Sequence, residues 1–234
     1  EGTKRNLELG RSIGYGWFSV FHTLLGLTHF WRGRWEEALE NFQEGARLEP
    51  PGFFAGARQG FPFLGKAYAG DRDGALALLR EKMGELPRPG QTNAMGRWTM
   101  LLTVVEGMAV LRQLDEATKL YSLVMEAIDT GALVRPFADG LLQTVAGMAA
   151  AAGGQWEKAE EHYRTALRQA QEIPHKIEQP EVRRWYARML LDRDAPGDRD
   201  KAFRLLTEAI AIYRQIGMPK HVEMAEKMLG EVEP

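Results

Sequence analysis

The sequence predicts an all-α fold: a right-handed superhelical solenoid of about five helix pairs, with partial or capping helices at its ends. Three observations carry this. First, an alanine followed four positions on by a large residue recurs at Ala38/Phe42, Ala75/Leu79, Ala117/Tyr121, Ala159/Tyr163 and Ala202/Leu206. The alanines are 37, 42, 42 and 43 residues apart, and a near-constant period in this range marks stacked helix–turn–helix units rather than one compact core. Second, helical patterns of roughly 13–20 residues alternate with turns of about two to six, which makes successive helices antiparallel neighbours. Third, nothing reads convincingly as a strand, since β-branched runs such as Thr103-Val-Val105 lie inside longer helical patterns.

Residues 1–13 read as the tail of a second helix whose repeat begins upstream, and the absence of an initiator methionine suggests a piece of a longer or processed protein. The helix end Leu9-Gly-Arg-Ser-Ile-Gly-Tyr-Gly recurs as Tyr213-Arg-Gln-Ile-Gly-Met-Pro and, more loosely, as Ala170-Gln-Glu-Ile-Pro. In each, an isoleucine packs the last turn and a Gly or Pro stops the helix. Repeat one spans about 15–50: Leu25-Gly-Leu-Thr-His29 lets a partner helix approach, and Trp35 and Ala38 open the second helix. Repeat two runs about 53–88, with Leu64-Gly-Lys-Ala-Tyr68 and the short turn Gly70-Asp-Arg-Asp; Pro87, Pro89 and Gly90 then break the chain. Repeat three, about 92–130, uses Gly107 as its small residue and Leu114-Asp-Glu-Ala117 to start its second helix. Repeat four, about 134–173, holds Ala146-Gly-Met-Ala-Ala150 and Gln155-Trp-Glu-Lys-Ala159. Repeat five, about 178–216, turns through Asp192 to Asp200, and a last amphipathic helix near 218–231 carries Val222, Ala225, Met228 and Leu229 on one stripe as an end cap. The whole of 1–234 is expected to form a single solenoid domain.

These motifs resemble the tetratricopeptide repeat (TPR) over nearly the whole chain. The likeness is strong in repeats one and four and degenerate in two, three and five. The interval near 42 exceeds the usual 34. Longer helices at this spacing resemble the helical-repeat regions of large bacterial signalling proteins, namely maltose-activator-type regulators and multidomain ATPase–nucleotide cyclase proteins. The stretch from Ala187-Arg-Met-Leu-Leu through Ile212-Tyr-Arg-Gln-Ile-Gly-Met218 is similar to the C-terminal repeats of the cyclase-linked group. That resemblance implies a non-catalytic domain that senses ligands or partners.

Composition excludes several alternatives. With 44% hydrophobic and 26% charged residues, the chain has the make-up of a soluble folded protein. A net charge of −2 gives no global attraction to nucleic acid or anionic lipid. No cysteine is present, which removes disulfides, zinc–thiolate sites and thiol nucleophiles and fits a cytoplasmic location. No apolar run approaches about 18 residues, so no membrane span is expected.

No catalytic constellation, cofactor motif or metal site is expected. Gly14-Tyr-Gly16 follows a helix end and reads as a plain turn. His22 and His29 occupy packing positions of the repeat and lack further ligands at helical spacing. Asp192, Asp194, Asp198 and Asp200 lack the order and distal glutamate of a calcium loop, and read as a solvated turn. Glu36-Glu37 and Glu160-Glu161 point about 100° apart on their helices and read as solvent-facing charges.

Function is expected in a concave groove lined by the first helix of each repeat. Its candidates are Thr23, Phe30 and Trp31, then Gln59 and Lys66, then Met108 and Arg112, then Thr144 and Met148, and finally Arg184 and Arg188. The last two lie four apart on one helix face and suit a bidentate anion clamp, with a salt bridge to Glu181 or Glu178 as the plainer reading. Replacing both by alanine is expected to leave folding intact. Between Phe53 and Phe63 the chain holds four phenylalanines, and Pro62 is expected to kink a helix there, either as core packing or as the opening of a ligand pocket. Trp17, Trp98 and Trp185 could add aromatic walls. The expected partner is a protein, a peptide or a small-molecule effector, without nucleic acid or membrane. Homo-oligomers, a self-associating scaffold without a ligand, and a helical enzyme using the Phe53–Phe63 region are the alternatives.

Overall fold

A computed structural model describes residues 5, 18–135 and 140–232. The expectations placed on residues 1–13, residue 5 apart, on Gly14-Tyr-Gly16 and on Trp17 therefore lie outside the described residues. Twelve α-helices occur among the described residues: α1 (Phe18–Trp31), α2 (Trp35–Arg47), α3 (Gly60–Tyr68), α4 (Arg72–Lys82), α5 (Met95–Val110), α6 (Leu114–Lys119), α7 (Tyr121–Asp129), α8 (Leu142–Ala152), α9 (Trp156–Glu172), α10 (Glu178–Arg193), α11 (Asp198–Ile216) and α12 (Pro219–Gly230). No strand accompanies them in that set, and the fold is all-α and TPR-like. The chain divides into two compact units, residues 1–30 with 34–113, and residues 31–33 with 114–234.

The alanine register predicted from sequence is the register of the core. Ala38, Ala75, Ala117, Ala159 and Ala202 are each 0% exposed. In the first unit, Phe42 follows Ala38 by one helical turn and packs onto Gly26, where an added Cβ would stand 2.5 Å from the ring. Phe42 also stacks on Phe61 at 5.3 Å, and Phe30 meets Tyr68 edge-on at 4.9 Å. In the second unit, Tyr163 lies against Gly147 in the same way and stacks on Tyr186 at 5.5 Å. Repeat three departs from this pattern: its second helix is interrupted at Leu120, between α6 and α7, and Tyr121 is only half-buried.

The turns are as regular as the core. The N–H groups of Arg34, Asp71, Gln113 and Gln155 donate to the carbonyls of His29, Lys66, Met108 and Ala150, five residues back, at 2.9–3.0 Å. This closes four of the first helices, α1, α3, α5 and α8, with a left-handed residue before the last donor. Glycine supplies that conformation at Gly33, Gly70 and Gly154, and Arg112 adopts it at φ 56°.

The second helices α2 and α9 are strongly amphipathic, and the first helices α5 and α8 are not. On α9 only Ala159, Tyr163, Ala166 and Ala170 are buried. Residues of α5 and α8 are buried nearly all the way round, as expected of helices that read apolar on every face, and α10 is buried to a similar degree although half of its residues are polar.

Candidate functional site

Six of the eleven positions predicted to line a groove belong to the interior. In the first unit, Thr23, Phe30 and Met108 are buried core residues, and the Thr23 hydroxyl donates to the Ser19 carbonyl at 2.8 Å. Lys66 pairs with Asp71 at 2.5 Å, and Asp71 caps α4 by accepting from the Gly74 N–H at 3.0 Å. Arg112 is the left-handed cap of α5. Gln59 donates through Nε2 to the Ala46 carbonyl at 3.0 Å and to Glu49 at 2.9 Å.

That last contact is part of a knot absent from the sequence reading. The Glu49 carboxylate also accepts from the Gly56 N–H at 3.0 Å, from the Arg58 N–H at 2.9 Å and from the Arg58 guanidinium at 3.1 Å. Charge-assisted bonds of this kind roughly double a neutral one in strength, so Glu49 fixes the turn over residues 51–59. The kink expected at Pro62 does not occur. Helix α3 begins at Gly60, which puts Pro62 in its first turn, where a missing N–H costs nothing. Phe61 and Phe63 are core, whereas Phe53 and Phe54 stay on the surface. The turn presses on the start of α5: the Gly96 N–H donates to the Phe53 carbonyl at 3.4 Å, and a Cβ at Gly96 would stand 2.2 Å from the Phe54 carbonyl oxygen.

In the second unit, Thr144 and Met148 are buried, with the Thr144 hydroxyl donating to Glu178 at 2.6 Å. Trp31 counts with this unit, and its ring lies 5.3 Å from that of His221. The anion clamp expected of Arg184 and Arg188 is not assembled. Arg184 is buried and donates to Glu181 at 2.6 Å and to the Tyr213 hydroxyl at 3.2 Å, while Tyr213 donates to Glu181 in turn. Arg188 pairs with Asp192 at 3.1 Å and Glu231 at 2.7 Å. The predicted salt bridge to Glu181 thus exists, but in the core rather than on the surface. Burial would push the Glu181 carboxyl up, and the Arg184 guanidinium with the Tyr213 hydroxyl more than offsets this, holding it below its ordinary value. Burial drives the His221 imidazole down to about 4.

A second polar cluster joins three helices. Glu160 of α9 accepts from Tyr186 at 2.5 Å, Arg193 at 2.9 Å and Lys201 at 2.7 Å, and Lys201 also bonds the Tyr186 hydroxyl. Burial pushes the Glu160 carboxyl up, and these donors outweigh it, bringing it to about 2. The sequence alone predicts a solvent-facing charge at Glu160. The structure makes it an inter-helix tie. Asp198 accepts both a bidentate bond from Arg193 and the Ala195 N–H, so the acidic turn is held by its own hydrogen bonds.

One open depression of about 530 Å³ is lined by Pro174, Lys176, Gln179, Ile212, Gln215 and Ile216. No group of three His, Cys, Asp or Glu residues that could hold a metal occurs among the described residues. No described helix is long and apolar enough to cross a membrane.

No curated protein matches the chain. Residues 141–215 do match the family described as tetratricopeptide repeat. The match covers α8, α9, α10 and all but the end of α11, the stretch built on Gly147 against Tyr163 and on Ala202, and within it the chain is similar to a TPR-type repeat.

Proposed function

We propose that the chain is a non-catalytic partner-binding module, and that it serves as the sensor or interaction part of a bacterial signalling or regulatory protein. The observation that carries the reading is the match over residues 141–215, because tetratricopeptide repeats generally mediate protein–protein interaction. The structure supports it in a second way. Thr144, Glu181, Arg184 and Tyr213 are bonded to protein groups, so the buried polar side chains brace the helix pairs. A braced scaffold loses little freedom on binding, which favours affinity. Core positions such as Phe30 and Met108 then hold the repeats together, and the half-exposed Trp31, Gln59, Lys66 and Arg188 remain as positions where a partner can touch.

Native mass spectrometry after incubation with lysate of the source organism tests this. A retained polypeptide at fixed stoichiometry supports the reading, a retained small molecule turns it toward an effector sensor, and a bare chain counts against both. One observation favours a second reading, a self-associating scaffold: α5, α8 and α10 leave almost no open inner face. Sedimentation velocity showing a concentration-dependent dimer would select it.

A further inference from the structure

Three of the exposed apolar side chains of the first unit lie where the turn over 51–59 meets the start of α5. Phe53 is 67% exposed, Phe54 40% and Met95 40%, and the two phenylalanine rings meet edge-on at 5.1 Å. Backbone contact brings the two segments together, since an added Cβ at Gly56 would stand 3.3 Å from the Arg97 nitrogen, and Gly96 donates to Phe53. Apolar side chains concentrated at such a junction mark a binding face more often than scattered ones do.

The two segments that form this face carry charge of one sign. Residues 50–70 and 86–105 contain no aspartate or glutamate. Of the four cations in those stretches, Arg58 is neutralised by Glu49 and Lys66 by Asp71. Arg97, beside Met95, and Arg88, on the turn leading into α5, have no ion pair among the described residues. Glu49 locks the turn through four hydrogen bonds, so Phe53 and Phe54 are presented by a rigid backbone.

We infer that the face formed by Phe53, Phe54, Met95 and Arg97 docks an acidic segment of a partner protein that carries bulky apolar side chains. The aromatic pair and Met95 supply the apolar contact, and the unpaired guanidinium of Arg97 meets a carboxylate, which it can grip bidentately. This inference rests on the partner-binding reading and assigns that reading a place and a ligand chemistry.

The test uses the whole chain and a random dodecapeptide library displayed on phage. Enriched peptides are expected to combine Asp or Glu with Phe, Leu or Trp. Their affinity should fall about ten-fold or more on Phe53→Ser and on Arg97→Glu, and should weaken as salt rises. Phe53 is largely exposed, so Phe53→Ser should keep the wild-type melting temperature; Arg97→Glu serves as an independent second variant. Enrichment of basic peptides, enrichment indifferent to both variants, or no enrichment overturns the inference. A dimer abolished by Phe53→Ser also overturns it and gives the face to a second copy of the chain. Variant-indifferent peptides would leave the partner-binding reading standing, and that reading is decided separately by the native mass measurement.

Discussion

Gly147 lies beneath the ring of Tyr163, so close that a Cβ at position 147 would stand 2.6 Å from the ring. Tyr163 is fully buried and stacked on Tyr186, so it cannot swing away. Gly147→Val is therefore expected to overpack the pair and cost about 1–3 kcal/mol in urea denaturation. Ala159→Trp, one helical turn before Tyr163, should do the same. A neutral result for both would mean that the helix pair is not in this register.

Arg112 stands where three other turns use glycine. A non-glycine residue in the left-handed region is strained by about 1–2 kcal/mol, so Arg112→Gly should be neutral or stabilising by up to about 1 kcal/mol. Arg112→Ala keeps the strain and should bring no gain. Thermal unfolding of the two variants side by side checks the difference.

Arg184 and Glu181 form a buried pair, and breaking one side leaves a charge without its partner. Arg184→Met should destabilise by about 3–5 kcal/mol. Arg184→Met combined with Glu181→Leu should cost clearly less than the sum of the two single changes. From the sequence alone Arg184 and Arg188 look dispensable for folding; the buried pair with Glu181 reverses this for Arg184. Additive single costs in the cycle would show that the two groups do not interact.

Two groups give acid sensitivity in separate windows. His221 is neutral when folded down to pH about 4, while an unfolded histidine takes a proton near its ordinary 6.5. The unfolded chain binds the extra proton first, so stability should decline as pH falls through that window. Glu160 titrates at about 2 rather than 4.5. Its contribution is full above 4.5 and is lost as pH falls toward 2. His221→Phe should flatten the first limb and Glu160→Gln the second, read as urea midpoints from pH 7 to 2. Curves parallel to wild type would remove these assignments.

The sequence made the helix pairs legible because their signals are local. An alanine and an aromatic one turn apart, and a glycine at a turn, can be seen within a few residues. The polar interior was not legible, because Glu181 and Tyr213 are 32 positions apart and Glu160 and Lys201 are 41 apart. Counting along a first helix can place Thr144 or Met148 on a face, but it does not reveal that the face is covered. The Pro62 kink failed for a local reason: the Glu49 knot delays the helix start to Gly60, and the proline then falls where helices accept it.

The tie at Glu160 has a consequence for motion. It fastens α9, α10 and α11 through a single carboxylate, so none of the three can swing out without leaving charged groups unpaired. Their amide hydrogens should therefore exchange with solvent deuterium as one block, at one opening free energy. Glu160→Gln should split that block into helices that open at different rates.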